Sequence, residues 1–281
     1  MAYLIIVSVV WGFSFGLIKG NLAGLDPYFV SLVRLSISLI VFLPFLRVRR
    51  MAPSMGVRLI LTGAVQYGLM YAAYIHSYSY LPAHLVAVFT IFTPVYITVL
   101  EDVMSRRFHS RSVLMALAAV AGAAVITGVP DAFELRGFLL VQLSNICFAF
   151  GQVYYRRVLR GVKVSDASVF ALLYAGGAGV CAVLSIFLTR WSEIRLEAGQ
   201  MLTLLYLGVV ASGLCFFLWN RGVRLSSVTQ IAVMNNAKIP LAVAFSLLLF
   251  GESAGLPGLL AGGGILTGVL VLDHQMKRIP Q

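Results

Sequence analysis

Charged side chains are scarce in this sequence, since they make up 11% of its 281 residues and only ten of them are acidic. Soluble domains carry about 25% charged residues. Hydrophobic residues instead account for 60% of the chain, and the mean hydropathy is +0.95. Apolar stretches close to 20 residues long recur along the chain, which is the length of a helix that crosses a bilayer core of about 30 Å. The sequence therefore predicts an all-α integral membrane protein.

Cysteine is also scarce. Cys147, Cys181 and Cys215 lie in apolar segments at unrelated spacings. Disulfide frameworks and zinc sites need cysteines in characteristic clusters, so neither is predicted. We interpret the three thiols as small core residues and expect no bound metal.

Ten transmembrane spans are predicted. The first is not interpreted as a signal peptide, because it lacks a basic segment before its apolar run and is as long as a span. The predicted spans cover residues 3–20, 28–46, 58–80, 84–100, 112–129, 136–155, 167–189, 200–220, 227–250 and 254–272. None of these spans contains Asp or Glu.

Basic residues are concentrated in alternate connections. Fifteen of the 21 lysines and arginines follow even-numbered spans: Arg47, Arg49, Arg50, Arg58, Arg106, Arg107, Arg111, Arg156, Arg157, Arg160, Lys163, Arg221, Arg224, Lys277 and Arg278. The positive-inside rule then places both termini in the cytoplasm. The net charge of +11 is thus explained by topology, and no nucleic-acid partner is expected.

Short motifs recur in the two halves of the chain in the same order. "GAVQYGLMYAAY" (63–74) resembles "GVVASGLCFFLW" (208–219), and "HLVAVFTIFTP" (84–94) resembles "QIAVMNNAKIP" (230–240). Five spans per half would invert the second copy, as in secondary transporters with a site at the repeat interface. We predict one membrane domain, residues 1–281, whose repeats cover about 1–130 and about 131–281.

The sequence resembles the drug/metabolite transporter superfamily in its ten-helix EamA-type branch. The resemblance covers essentially the whole chain, and its motifs are "WGFSFGLIKG" (11–20), "LVRLSISLI" (32–40), the prolines Pro94 and Pro240, and Gly251-Glu252 before a glycine-rich last span. The first repeat departs from this pattern, because Arg106 stands where the second has Glu252. The resemblance implies alternating access, with spans 3, 4, 8 and 9 around the substrate path. It also implies export, and location in a bacterial or archaeal inner membrane.

Lys238 is the strongest candidate for substrate recognition. It lies about 11 residues into span 9, roughly 16 Å deep, and a lysine side chain extends only about 6 Å toward the interface. A charge at the bilayer centre costs at least roughly 3 kcal/mol. We predict that the ammonium group faces a cavity and binds a carboxylate or phosphate of the substrate. The alternatives are water, a neutral lysine, or backbone carbonyls exposed by a helix break.

Polar residues and prolines meet at mid-depth in both repeats. Asn235 shares a helix face with Lys238, and Asn236 precedes Pro240 by four residues. A proline removes the hydrogen bond to the carbonyl four residues earlier, so helix breaks are predicted at Pro94 and Pro240. The alternative is a plain kink absorbed by packing. Thr90 and Thr93 are added to the candidate site because they stand beside the first of these breaks.

Aromatic residues form a stripe in span 3, and a matching stripe is predicted in span 8. These are Tyr67, Tyr71 and Tyr74 in span 3, and Phe216 and Trp219 beside Ser212 in span 8. The stripes are predicted to face each other across a cavity, with ordinary packing as the alternative. Hydrogen bonds between helices are expected from Trp11 and Ser14 in span 1 and from Gln142, Asn145 and Gln152 in span 6, with contact to the cavity as the alternative. Trp11 and Ser14 are included among the candidate site residues.

Arg34 lies about six residues, or roughly 9 Å, from the outer end of span 2. The favoured interpretation is that its side chain reaches the lipid headgroups, and a second anion contact or a lock between helices is the alternative. We expect a monomer or homodimer in the lipid bilayer that exports small metabolites bearing a carboxylate, such as amino acids. Phosphorylated or nucleotide-linked metabolites or drugs are the second hypothesis. The alternatives from other classes are a membrane enzyme, which the lack of a catalytic constellation in the sequence disfavours, and a receptor, which the inverted repeat disfavours. No cofactor is expected.

Overall fold

The computed structural model describes residues 2–47, 51–106, 114, 117, 134–226 and 228–250, and secondary structure in these ranges is entirely helical. The helices in chain order are α1 (Ala2–Asn21), α2 (Pro27–Phe42), α3 (Pro53–Gly63), α4 (Met70–Ser77), α5 (Ala83–Phe89), α6 (Thr93–Ser105), α7 (Leu135–Val158), α8 (Ala167–Leu188), α9 (Ala198–Tyr206), α10 (Cys215–Arg224) and α11 (Val228–Phe250). Short 3₁₀ segments cover Leu43–Phe45, Thr90–Phe92 and Trp191–Glu193.

Six helices in the described ranges are long and apolar enough to cross a membrane. They are Tyr3–Asn21, Pro27–Phe45, Ala83–Ser105, Leu135–Val158, Ala167–Leu188 and Ala198–Arg224. Each corresponds to one predicted span. Predicted spans 5 and 10 lie outside the described residues apart from Leu114 and Leu117, as do Glu252 and most of the proposed repeat boundary.

Two long helices contain a π-helical segment at corresponding positions. Ala64–Leu69 joins α3 to α4, and Leu207–Leu214 joins α9 to α10. The first segment lies within the motif at 63–74, and the second overlaps the related motif at 208–219, with only Leu207 outside it. π-Bulges are rare and occur frequently at functional sites, because they redirect the side chains that follow. Here they are followed by the helices that carry Tyr71 and Phe216.

Side chains from other helices bond to the carbonyl groups of the second π segment. The Tyr174 hydroxyl donates to the carbonyls of Ser212 and Gly213 at 2.6 and 2.9 Å. The Ser38 hydroxyl donates to the Gly208 carbonyl at 2.7 Å. Buried carbonyls need such partners in an apolar environment. These bonds hold α2 and α8 to the irregular segment.

Glycines allow α3 and α8 to cross at close range. A Cβ atom placed on Gly63 would lie 1.8 Å from the Leu173 carbonyl oxygen, and one on Gly176 would lie 1.9 Å from that of Ile60. Gly177 adds to this close approach, since a Cβ atom placed on it would lie 2.8 Å from the Cβ atom of Tyr67. Elsewhere, α1 packs along α11, and both α4 and α6 pack against α7.

The two predicted helix breaks differ in the structure. At Pro94 the helix does change path: Thr90–Phe92 is a 3₁₀ turn, and α6 begins beside the proline. At Pro240 the prediction of a break is not matched, because α11 runs without interruption from Val228 to Phe250. A proline removes one backbone hydrogen bond, and packing of α11 along α1 supports the helix on both sides of that gap.

Candidate functional site

A central cavity lies among seven helical segments, and its interior has a volume of about 70 Å³. Ligand pockets typically measure about 300–1,000 Å³, so the cavity in this state is narrower than a typical pocket. The cavity is lined by Trp11, Ser14, Phe15, Ile18, Arg34, Met70, Tyr71, Tyr74, Thr90, Ser144, Asn145, Phe148, Phe216 and Lys238. Two of these residues are cations and none is acidic, so the described wall of the cavity is electropositive.

Lys238 reaches the cavity from the middle of α11. Its side chain is 5% exposed, and the Nζ atom lies 5.3 Å from the ring centroid of Trp11 and 5.6 Å from that of Phe148. Cation–π contacts of this kind contribute up to about 2 kcal/mol when water is excluded. Within the described chain, Lys238 has no carboxylate, hydroxyl or carbonyl acceptor. Among the residues that the structure describes, the faces of two aromatic rings are what its charge meets.

Arg34 also lines the cavity, and this corrects the expectation that it extends to the headgroups. The residue is 2% exposed. Its Nε donates to the Ser212 hydroxyl at 3.2 Å, and its Nη2 donates to the Tyr71 hydroxyl at 3.1 Å. The Ser212 and Tyr71 hydroxyls and the face of the Tyr71 ring offset the free-energy cost of removing the guanidinium group from water. This cost is smaller for a guanidinium group than for an ammonium group, which is hydrated more strongly. The arginine consequently turns inward and joins α2 to α4 and to the π segment Leu207–Leu214.

An aromatic wall connects the two cations, and we define it as Trp11, Phe148, Phe216 and Tyr71. Trp11 contacts Phe216 at 4.9 Å between centroids and Phe148 at 5.8 Å, and Tyr71 contacts Phe216 at 5.8 Å. The Arg34 Cζ atom lies 4.7 Å from the centroid of the Tyr71 ring. Lys238 thus stands at the Trp11 end of the aromatic wall, and Arg34 at the Tyr71 end.

Tyr67 and Trp219 are not at the cavity, contrary to the prediction that both stripes face it in full. Tyr67 is fully buried, stacks on Tyr174 at 5.2 Å and accepts a hydrogen bond from Asn220 at 2.8 Å. Trp219 is fully buried and packs 5.1 Å from Trp11. At the level of Tyr67 and Trp219 the two stripes pack against other aromatic rings and do not border the cavity. This packing is stable because each ring has aromatic neighbours and the Tyr67 hydroxyl has an amide partner.

Asn235 and Asn236 lie behind the cavity wall. Asn235 donates to the Ile231 carbonyl at 3.1 Å and to the Gln152 side-chain carbonyl at 3.5 Å. Both polar atoms of the Asn236 side chain lack a hydrogen-bond partner among the described residues, although only 1% of the residue is exposed. Neither asparagine contributes to the described lining of the cavity.

The carbonyl that Pro94 was predicted to leave free is occupied. The Thr93 hydroxyl donates to the Thr90 carbonyl at 2.7 Å, and the Thr90 hydroxyl donates to the Ala87 carbonyl at 2.6 Å. Thr90 lines the cavity, whereas Thr93 is buried behind it. Asn145 donates to the Phe89 carbonyl at 2.8 Å, which confirms its expected bond between helices. The helix change near Pro94 is therefore satisfied by side chains.

Five cavity residues were not among the sequence candidates: Phe15, Ile18, Met70, Ser144 and Phe148. Phe15 and Phe148 lie in the related motifs "FSFG" (13–16) and "FAFG" (148–151), so the internal repeat carried a signal for both. Ile18, Met70 and Ser144 look like ordinary span residues, and only the packing of their helices brings them to the cavity.

A bundle of apolar helices around a cavity with buried cations is the arrangement of a membrane carrier for small solutes. The chain belongs to the EamA-like transporter family, whose model matches residues 1–128 and 135–272. It is therefore an integral, multi-pass membrane transporter of the drug/metabolite transporter superfamily, which confirms the resemblance given above. Its relatives are bacterial transporters, which is consistent with an inner-membrane location.

Several curated relatives match nearly the full length of the chain. A probable biotin transporter of Pseudomonas aeruginosa is 36% identical over 285 residues, covering 99% of each chain. A biotin transporter of Salmonella typhimurium is 38% identical over 274 residues, covering 96% of this chain and 91% of the relative. The biotin transporter of Escherichia coli is 36% identical with the same coverage. One crystal structure, 17% identical, shares the fold with a TM-score of 0.76 over 99% of each chain.

Proposed function

We propose that this protein transports biotin or a closely similar carboxylate by alternating access, with Lys238 as the carboxylate contact. The observation that carries the proposal is the Lys238 ammonium group, which lines the cavity without an acceptor in the described chain. Burying an unpaired cation in a membrane protein is costly unless a counter-ion or a polar cavity compensates it. A carboxylate bound beside Trp11 and Phe148 would supply that counter-ion.

The chemistry of biotin suits the remaining lining of the cavity. Biotin has a carboxylate at one end, an aliphatic chain in the middle and an uncharged bicyclic ureido group at the other end. The aromatic wall together with Phe15, Ile18 and Met70 provides apolar surface for the chain and the bicycle. Burial of apolar surface contributes about 25 cal/mol per Å², so this surface adds affinity without discriminating sharply.

The charge of the cavity favours a monoanion over the amino acids that we first expected. An amino acid carries an ammonium group as well as a carboxylate. No acidic residue occurs among the described residues that line the cavity, so the ammonium group of a bound amino acid would have two protein cations nearby and no carboxylate among them to pair with. A phosphorylated metabolite would need more converging cations than Lys238 and Arg34.

The architecture proposed for transport is ten spans in two inverted repeats, with both termini in the cytoplasm, in a monomer or homodimer. Support comes from the two family-model matches, residues 1–128 and 135–272, and from the π segments at corresponding places in the related motifs. Export was expected only from the family resemblance. A carrier catalyses movement in both directions, and the assay below does not depend on the direction of net flux.

The test is counterflow of radiolabelled biotin in proteoliposomes that contain purified wild-type protein or Lys238→Met. We expect the wild type to accumulate label when the liposomes are preloaded with unlabelled biotin. Loss of one charge-assisted contact costs about 1.5–3 kcal/mol, so the variant should bind biotin roughly 10–100-fold more weakly. Lys19→Met is the matched control, because the Lys19 ammonium group donates to the Tyr78 carbonyl at 2.8 Å and does not line the central cavity.

Binding of biotinamide provides a second measurement of the same contact. The amide retains the shape of biotin and lacks its negative charge. It should stabilise the wild type against heat far less than biotin does, while Lys238→Met should barely distinguish the two compounds. Equal biotin counterflow and equal thermal stabilisation in Lys238→Met and wild type would refute the assignment of the carboxylate contact.

A further inference from the structure

Arg34, the second buried cation at the cavity wall, also has a donor that is unpartnered in the described part of the chain. Arg34 is 2% exposed, and its Nη1 atom has no hydrogen-bond partner among the described residues. Its other two nitrogens bond to Ser212 and Tyr71. We propose that Nη1 of Arg34 donates a hydrogen bond to the ureido carbonyl oxygen of the substrate, at the opposite end of the aromatic wall from Lys238. This inference rests on the proposed function.

The guanidinium group is held in a fixed position. The Tyr71 and Ser212 hydroxyls that accept from it also bond to each other at 2.8 Å, which closes a ring of three hydrogen bonds. Stacking of Arg34 on the Tyr71 ring, at 4.7 Å, limits its rotation further. A positioned donor discriminates between ligands better than a flexible one, because little conformational entropy is lost on binding.

The available donor suits a neutral carbonyl better than a carboxylate. Arginine binds carboxylates most strongly through a fork of two parallel N–H bonds. In Arg34, Nε and Nη2 already bond to hydroxyl groups, so Nη1 is the nitrogen left without a partner. Lys238 has no such hydroxyl partner in the described ranges, and its charge therefore gains more from a full negative charge. The two ends of the site therefore suit different groups: Lys238 suits a carboxylate, and Arg34 suits a neutral carbonyl oxygen.

The aromatic wall sets the order of the contacts. Lys238 contacts Trp11 and Phe148, Phe216 lies in the middle, and Arg34 contacts Tyr71. A solute that lies along these rings would meet an ammonium group at one end and the guanidinium group at the other. The cavity should accordingly select solutes with a hydrogen-bond acceptor at both ends and reject those with a cation at the Arg34 end.

The experiment compares three biotin analogues as competitors of biotin counterflow. Desthiobiotin keeps both the carboxylate and the ureido oxygen. 2-Iminobiotin replaces the ureido oxygen with a nitrogen that is protonated at neutral pH, so it changes only the end assigned to Arg34. Biotinamide changes only the end assigned to Lys238. We expect desthiobiotin to compete nearly as well as biotin, and 2-iminobiotin at least about tenfold less well.

Variants then assign each end to its residue. In Arg34→Gln, the preference for biotin over 2-iminobiotin should fall toward equality, whereas the preference for biotin over biotinamide should persist. Lys238→Met should show the reverse pattern. If Arg34→Gln does not fold, Ser212→Ala replaces it, since this change removes one of the two hydroxyls that orient the guanidinium group and should reduce the 2-iminobiotin preference in part.

Three results separate the possible failures. Equal competition by biotin and 2-iminobiotin in the wild type would overturn the Arg34 contact while leaving biotin transport intact. An Arg34→Gln variant that loses discrimination against biotinamide would also overturn it, because the substrate would then bind in the opposite orientation. Absence of biotin counterflow in the wild type would instead refute the proposed function itself.

Discussion

Substitution of Gly63 by alanine should drive α3 and α8 apart. The new Cβ atom would lie 1.8 Å from the Leu173 carbonyl oxygen and 2.4 Å from both the Cα and the carbonyl carbon of that residue. All three are backbone atoms, so no side-chain rotation relieves the overlap. Carbon atoms pack optimally at about 3.5–4.0 Å, and the helices would therefore have to separate locally by about 1.5 Å.

The expected loss of stability follows from two opposing effects. Overpacking of this kind costs about 1–3 kcal/mol, and a clash with backbone belongs at the upper end of that range. Alanine is also a better helix former than glycine by about 1 kcal/mol, which offsets part of the cost. A net loss of about 2 kcal/mol should lower the midpoint of thermal unfolding by roughly 4–8 °C.

Thermal unfolding in detergent, followed by intrinsic tryptophan fluorescence, measures this effect. Gly199→Ala is the matched control, because a Cβ atom at that helical position meets nothing within 4 Å. The control should leave the midpoint unchanged or raise it slightly through helix propensity. Equal midpoints for the two variants would refute the close crossing of α3 and α8. The variant should also weaken biotin binding, since the continuous helix that begins with α3 carries Tyr71 into the cavity.

Two further predictions concern other contacts. Asp166→Asn should destabilise the protein by about 1–3 kcal/mol, because Asp166 pairs with Arg224 at 2.8 Å and accepts a hydrogen bond from the Tyr155 hydroxyl. The control Glu193→Gln changes a highly exposed pair and should cost less than about 0.5 kcal/mol. Thermal unfolding midpoints that fall equally in the two variants would contradict this prediction. Trp11→Phe keeps an aromatic face for Lys238 but removes the hydrogen bond from the indole N–H to the Ala211 carbonyl at 2.9 Å. Biotin affinity, measured by equilibrium binding, should therefore fall by about three- to tenfold. Unchanged affinity would exclude a positioning role for that hydrogen bond.

Much of the architecture was predictable from local properties. A membrane-spanning helix satisfies its backbone hydrogen bonds internally, so an apolar run of about 20 residues indicates a span without reference to the rest of the chain. The same reasoning made Lys238 conspicuous, because a cation deep within such a run needs a special environment. The spacing of Gly63 and Gly68 against Gly208 and Gly213 likewise indicated the related motifs, which proved to overlap the two π segments.

The inward position of Arg34 was not predictable, because the length of its side chain permits both the headgroup region and the interior. Its actual position depends on Tyr71 and Ser212, which are 37 and 178 residues away in sequence. For the same reason, the aromatic stripe of span 3 could not be divided by sequence into Tyr71 at the cavity and Tyr67 in the packed core. That division depends on where α10 and α8 approach the stripe.

Sequence alone therefore determined that the chain crosses the membrane repeatedly and that one lysine lies deep in a span, since both depend on the free energy of transferring individual residues out of water. Tertiary structure decided which polar and aromatic groups share a cavity and which are buried behind it. Those outcomes depend on close approaches between helices far apart in sequence, such as α3 with α8 and α1 with α11. Hydrophobic periodicity shows that a face is buried but does not show which partner covers it.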